Sequence, residues 1–105
     1  MATLLRLPVE EALLADYCRR WKITRLELFG SARLDLASAR DFDLLVSFGR
    51  DAHWSLLDHA EMQAELSALL GRPVDLVTRR SIEASQNPIR RASILENPLE
   101  VYAAD

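Results

Sequence analysis

Apolar positions along this chain shift between a four-residue recurrence and short continuous runs. Val9, Leu13, Tyr17 and Trp21 recur every four residues with Leu14 and Cys18 beside them, which predicts one helix with a single apolar stripe. Pro8 sits where a first-turn proline is tolerated. Glu10 and Glu11 open the segment and Arg19, Arg20 and Lys22 close it, the order a helix dipole favours. Ile23 to Phe29 reads as a strand that stops at Gly30, where the backbone can turn sharply. Ser31 is placed to cap a short helix over 32–37, and Ala37 to Arg40 reads as a loop. Leu44, Leu45, Val46 and Phe48 are nearly continuous apolar sequence, the mark of a buried strand, and Asp41-Phe42-Asp43 opens it. Ser55 with Asp58 three residues on forms a capping-box pattern. Leu56, Leu57, Ala60, Ala64, Leu66, Leu69 and Leu70 supply a broad buried helical face that Gly71 ends. Pro73 to Thr78 predicts a third strand, with Asp75 and Val77 on one face and Val74 and Leu76 on the other. Ile82, Ile89, Ile94 and Leu95, broken by Pro88 and Pro98, predict one or two short helices across the sheet, with Val101 to Asp105 loosely held.

At 105 residues the chain makes one domain, 1–105, with a single modest core. Half the residues are apolar and 28% charged, which fits a folded protein and argues against disorder. A formal charge of −3 gives no general grip on nucleic acid. Twelve of the thirteen basic residues are Arg; this suits phosphate or carboxylate contact, although coding bias produces the same excess. One cysteine without a metal-spaced partner fits a reducing compartment. The absence of a leader or spanning run points to the cytoplasm and away from membranes.

The chemistry concentrates in two places. On a strand, Asp41 and Asp43 project to the same side, roughly 6.6 Å apart along the chain. Their mutual repulsion calls for a counter-charge, and a hard divalent cation with oxygen ligands supplies one. If the second and third strands are neighbours, Asp75 faces the same side, and three carboxylates can hold one or two Mg²⁺ ions. Gly30 and Ser31 lie at a strand-to-helix turn, where backbone N–H groups and a hydroxyl can hold a β- or γ-phosphate. Arg33, one turn further, stands open between triphosphate contact and solvated surface. His53 and His59 read as surface or interface residues. Arg79-Arg80 and Arg90-Arg91 read as solvated faces, the alternative being that they line the nucleotide cleft or meet an acidic partner. Trp54 is either core or a partner anchor.

These stretches together resemble a known family. Leu28-Phe29-Gly30-Ser31, Asp41-Phe42-Asp43-Leu44-Leu45-Val46 and Gly71-Arg72-Pro73-Val74-Asp75-Leu76-Val77 are similar to the signature of the nucleotidyltransferase superfamily that includes DNA polymerase β. The match is closest to its minimal, MNT-domain, branch. Family members usually carry arginine followed by glycine one residue later than Arg33, where this chain has Arg33-Leu34-Asp35. The resemblance implies a small mixed α/β (α+β) sheet of three or four strands with flanking helices, the polymerase β palm-like fold. It implies Mg²⁺-dependent transfer of AMP from ATP, with Asp41, Asp43 and Asp75 as catalytic metal ligands and Gly30, Ser31 and Arg33 at the nucleotide. Asp75 would also help deprotonate the acceptor hydroxyl. Minimal members are commonly antitoxins paired with a helical HEPN-domain ribonuclease toxin, and neutralisation can proceed by adenylylating a toxin tyrosine. A non-catalytic antitoxin acting by occlusion is the alternative; retention of all three carboxylates favours the enzyme. So short a chain leaves no separate domain for a large acceptor, so the acceptor is expected on a partner protein and not on nucleic acid.

Overall fold

The computed structural model describes residues 7–30 and 39–104. Ser31, Arg33 and the short helix expected over 32–37 lie outside the described residues. The elements run α1 (Glu11–Arg20), β1 (Ile23–Phe29), β2 (Phe42–Phe48), α2 (Leu56–Leu70), β3 (Val74–Thr78), α3 (Arg79–Glu83), α4 (Pro88–Leu95) and β4 (Leu99–Ala103). The strands form one mixed sheet in the order β3-β2-β1-β4. β1 is antiparallel to both β2 and β4, and β2 is parallel to β3. A parallel pair needs a long crossover, which α2 provides.

Both faces of the sheet are covered, which is why β2 reads as continuous apolar sequence. Leu26, Leu28, Phe42, Leu44, Val46, Val74 and Leu76 point into the larger core with Leu14, Tyr17 and Cys18 of α1 and Met62, Leu66 and Leu70 of α2. Ile23 joins the same core although its number is odd, because a register shift between Ile23 and Arg25 turns it over. On the opposite face Leu45, Phe29 and Val77 pack with Ile82 of α3 and Ile94 of α4.

Three expectations need correction. The expectation of a loosely held Val101 to Asp105 fails over its described part: Leu99–Ala103 is a strand paired with β1, and Val101 is buried; Asp105 lies outside the described residues. Without β4, β1 would be an open edge with unpaired backbone groups. Helix α1 begins at Glu11 with Glu10 as its N-cap, so Pro8 precedes the first turn. Its buried stripe is Leu14, Tyr17 and Cys18, while Leu13 is half exposed. In α2, the buried residues are Met62, Leu66 and Leu70, and Leu56 and Leu57 are exposed at 90% and 82%.

The inward side of α2 also carries a polar row that the apolar pattern hides. His59 Nε2 lies 2.6 Å from the Leu76 carbonyl oxygen, Gln63 Oε1 accepts from the Leu76 N–H at 2.9 Å, and Ser67 Oγ accepts from the Val74 N–H at 3.0 Å. Spaced four residues apart, they lie on one helical face and meet the outer edge of β3. The edge strand is thereby paired on both sides, once by β2 and once by side chains. Replacing Gln63 by Leu removes the acceptor for a backbone N–H. It should cost about 1–3 kcal/mol in urea unfolding; an unchanged midpoint would refute this edge-sealing role.

Candidate active site

Strand register decides the geometry of the site. Phe29 pairs with Asp43 across β1 and β2, and Asp43 pairs with Asp75 across β2 and β3. Strands that pair directly are about 4.8 Å apart, so two carboxylates stand side by side at one end of the sheet. They share the face of Leu45 and Val77, one residue pair beyond the smaller core. Asp43 is half-buried and Asp75 is exposed; Asp41, exposed, immediately precedes β2.

The segment that delivers Asp75 also holds Asp41. Arg72 Nη1 donates to the Ala39 carbonyl at 2.8 Å, and its guanidinium lies 5.3 Å from the centre of the Phe42 ring. The Phe42 N–H donates to the Pro73 carbonyl at 3.0 Å. Asp41 is thus flanked on both sides by contacts to residues 72 and 73.

Gly30 closes the site from β1. Its φ is +78°, and a Cβ built there would meet Asp43 Oδ2 at 2.5 Å. Only glycine both adopts the left-handed turn without strain and lets the backbone come this close to the carboxylate. Burial holds the Asp43 carboxyl above its usual range, and the charges of Asp41 and then Asp75 push it the same way. A cleft of about 480 Å³ opens here, with Gly30, Asp43 and Asp75 on one side and Arg90, Ser93 and Glu96 on the side of α4.

Among the described residues, no group of three His, Cys, Asp or Glu stands ready to hold a metal ion. The donors nevertheless suit Mg²⁺: hard carboxylate oxygens, two of them in strand register, with a third whose charge is felt at Asp43. Four of the six residues singled out from the sequence, Gly30, Asp41, Asp43 and Asp75, are gathered at this end of the sheet; Ser31 and Arg33 are outside the described residues.

Other assignments resolve differently. His59 binds the β3 edge, and Trp54 is structural. Its Nε1 donates to the Trp21 carbonyl at 2.9 Å, and the two indoles meet edge to face at 5.1 Å. Arg79 is not a solvated residue: it pairs at 2.6 Å with Glu27, a buried carboxylate, and at 3.4 Å with Glu83. Arg91 turns to the Glu83 carbonyl, whereas Arg90 lines the cleft together with Asp43 and Asp75. The sequence signal for Arg90 is its place one helical turn before Ile94, the residue that anchors α4 to the sheet.

A family model for the nucleotidyltransferase domain matches residues 10–98. The chain belongs to this family. It is 34% identical over 83 residues to "Putative protein adenylyltransferase MJ1379" of Methanocaldococcus jannaschii, over 78% of this chain and 80% of that protein. A solved structure of a "putative minimal nucleotidyltransferase" is 33% identical, covers 92% of this chain and 97% of its own, and superposes with a TM-score of 0.56. The structure of a tri-AMPylated Shewanella oneidensis HEPN toxin in complex with MNT antitoxin shares the fold, with a TM-score of 0.59 at 20% identity, covering 90% of this chain and 70% of that one. The mixed α/β nucleotidyltransferase fold expected from the sequence is therefore the one observed. Among the described residues, no helix of this nucleotidyltransferase is long and apolar enough to cross a membrane.

Gly30→Ala should cost about 1–3 kcal/mol through left-handed strain alone and displace Asp43 as well. A chemical denaturation midpoint equal to that of the unaltered protein would show that the turn is not constrained. Folding raises the Asp43 pKa, so the folded state binds its proton more readily than the unfolded chain. Stability therefore falls as pH rises from the ordinary carboxylate range through the raised folded value. In metal-free buffer Asp43→Asn should melt higher than the unaltered protein at pH 7, with the gap closing towards pH ~4. A variant that melts lower at pH 7 would contradict the repulsion.

Proposed function

We propose that this nucleotidyltransferase is a Mg²⁺-dependent protein adenylyltransferase that transfers AMP from ATP to a tyrosine of a HEPN ribonuclease toxin and so acts as its antitoxin. The observation that carries this reading is the unshifted pairing of Asp43 with Asp75 beside the Gly30 turn. The adenylyltransferase name of the archaeal relative and the AMPylated HEPN toxin bound to an MNT antitoxin in the structural neighbour support it.

Asp41, Asp43 and Asp75 would hold Mg²⁺, which when bound supplies neutralisation of the triphosphate charge and of the oxygens at the reacting phosphorus. The residues themselves do the rest. Gly30 presents backbone to the phosphates with no side chain between, and Ser31 and Arg33 would extend that contact. The tyrosine oxygen forms a bond to the α-phosphorus as the bond from that phosphorus to the β-phosphate bridging oxygen breaks. Pyrophosphate leaves with the bonding pair, and the phenolic proton passes to Asp75, which is exposed. Asp43, more buried and fixed by its neighbours on both strands, orients and does not move.

Incubation with ATP, Mg²⁺ and the product of the neighbouring gene should add one or more adenylyl groups to that product by intact-mass measurement. Asp41→Asn and Asp43→Asn should each lower the rate at least 100-fold while remaining folded by circular dichroism, since both are isosteric. Undiminished modification by both variants would overturn the catalytic assignment. Full toxin neutralisation by a doubly substituted, inactive protein would favour occlusion instead.

A further inference from the structure

We propose that Arg90 is the side chain that receives the β- and γ-phosphates of the nucleoside triphosphate and steadies the departing pyrophosphate. The inference rests on the reading of the cleft as a nucleotidyl-transfer site and adds to it a residue outside the Gly-Ser and Asp-x-Asp motifs.

Placement comes first. Helix α4 starts at Pro88, and the Asn87 side chain accepts from the backbone N–H groups of Ile89 and Arg90, both at 3.1 Å. One turn later Ile94 is buried against Leu45 and Ile82. The helix is therefore fixed at both ends of this turn, and Arg90 is held on the wall of the cleft that Asp43 and Asp75 line from the sheet.

The charge pattern is the second observation. Arg20, Arg25 and Arg79 are each committed to a carboxylate, namely Glu65, Glu100 and Glu27. Among the described residues no such partner is found for Arg90. A guanidinium thus stands in the same cleft as the carboxylates without closing onto them, and what separates them is the cleft itself. Glu96 lines the same wall but is engaged in an interaction of its own, so an occupant that satisfies both sides is anionic towards Arg90 and cation-bearing towards the sheet. A metal-bound polyphosphate has that polarity, and a guanidinium can grip two phosphate oxygens at once. With the α-phosphate beside the carboxylates, the β- and γ-phosphates extend towards α4, where charge builds up on the leaving group.

The test is calorimetric titration of the intact protein with α,β-methylene ATP and, separately, AMP, each with Mg²⁺. Arg90→Ala should weaken the triphosphate analogue roughly 10- to 100-fold, the range for a lost charge-assisted contact, and AMP less than about twofold. Arg90→Lys should fall between, because an ammonium cannot make the paired contact. Arg91→Ala removes the same charge one residue away, where the side chain turns to Glu83, and should leave both affinities unchanged. Equal weakening by the Arg90 and Arg91 variants, or none by either, would overturn the proposal and leave the carboxylate site standing. Failure of the unaltered protein to bind the analogue would overturn both.

Discussion

Two carboxylates opposite each other on neighbouring parallel strands repel, and the end of the sheet that carries them is built to withstand that repulsion. A slip of one residue between β2 and β3 would relieve it, but it would also turn Asp75 into the larger core and Val74 and Leu76 out of it. Burial of Val74 and Leu76 opposes the slip. The polar row on α2 opposes it again, since His59, Gln63 and Ser67 match the backbone groups of Leu76 and Val74 only in the present register. The pairing is thus held from the far edge of the strand, and the acidic side chains themselves contribute nothing favourable to it.

The two faces of the sheet divide the work. The larger core, closed by α1 and α2, fixes the strands; Tyr17 donates to the Met62 carbonyl at 2.9 Å and ties the two helices together. Burial raises its phenol and pushes the neighbouring Cys18 thiol up to about 12, so neither ionises at physiological pH. The smaller face is shared between packing and chemistry. Glu27 and Arg79 form a buried ion pair that pins the start of α3 to β1, the Leu45–Ile82–Ile94 cluster follows, and the carboxylates lie beyond it at the open end. Removing one partner of such a pair leaves an uncompensated buried charge, so it makes α3 a fixed wall of the fold.

What the sequence made legible was local. The Ser55–Asp58 capping box forms in full, Gly71 ends α2 in the left-handed region, and the alternation around Asp75 sets its face. These signals lie within a few residues of one another. What escaped depends on partners far along the chain. Strand β4 is needed because β1 has a free edge, and nothing in Leu99 to Ala103 states this locally. Glu27 and Arg79 are 52 residues apart, so each looks like an ordinary surface charge until the topology joins them. The α2 stripe holds at Leu66, Leu69 and Leu70 and fails at Leu56 and Leu57, because the inward side of the helix is half polar and His59, Gln63 and Ser67 take places that an apolar pattern does not count. Arg90 and Arg91 are adjacent and chemically identical, and only the packing of Ile94 decides which of them enters the cleft.

The structure contains a larger cleft than the acidic one, and comparing the two shows why volume does not identify the chemistry. About 800 Å³ opens at the other end of β2 and β3, with Arg50, Arg79, Arg80 and His53 among its walls. In doubly wound parallel sheets, ligands bind beyond the carboxyl ends of the strands, and that rule would select this cleft. Here the sheet is mixed, and only β2 and β3 run parallel. The start of β2 meets the end of β1, so the glycine turn that leaves β1 falls beside the first residues of β2. That juxtaposition brings the Gly30 backbone against the Asp43 carboxylate, whereas in the basic cleft Arg79 is already neutralised by Glu27 and Glu83. The antiparallel β1–β2 pair, inserted beside one parallel crossover, is therefore what places the candidate site at the opposite end of the sheet.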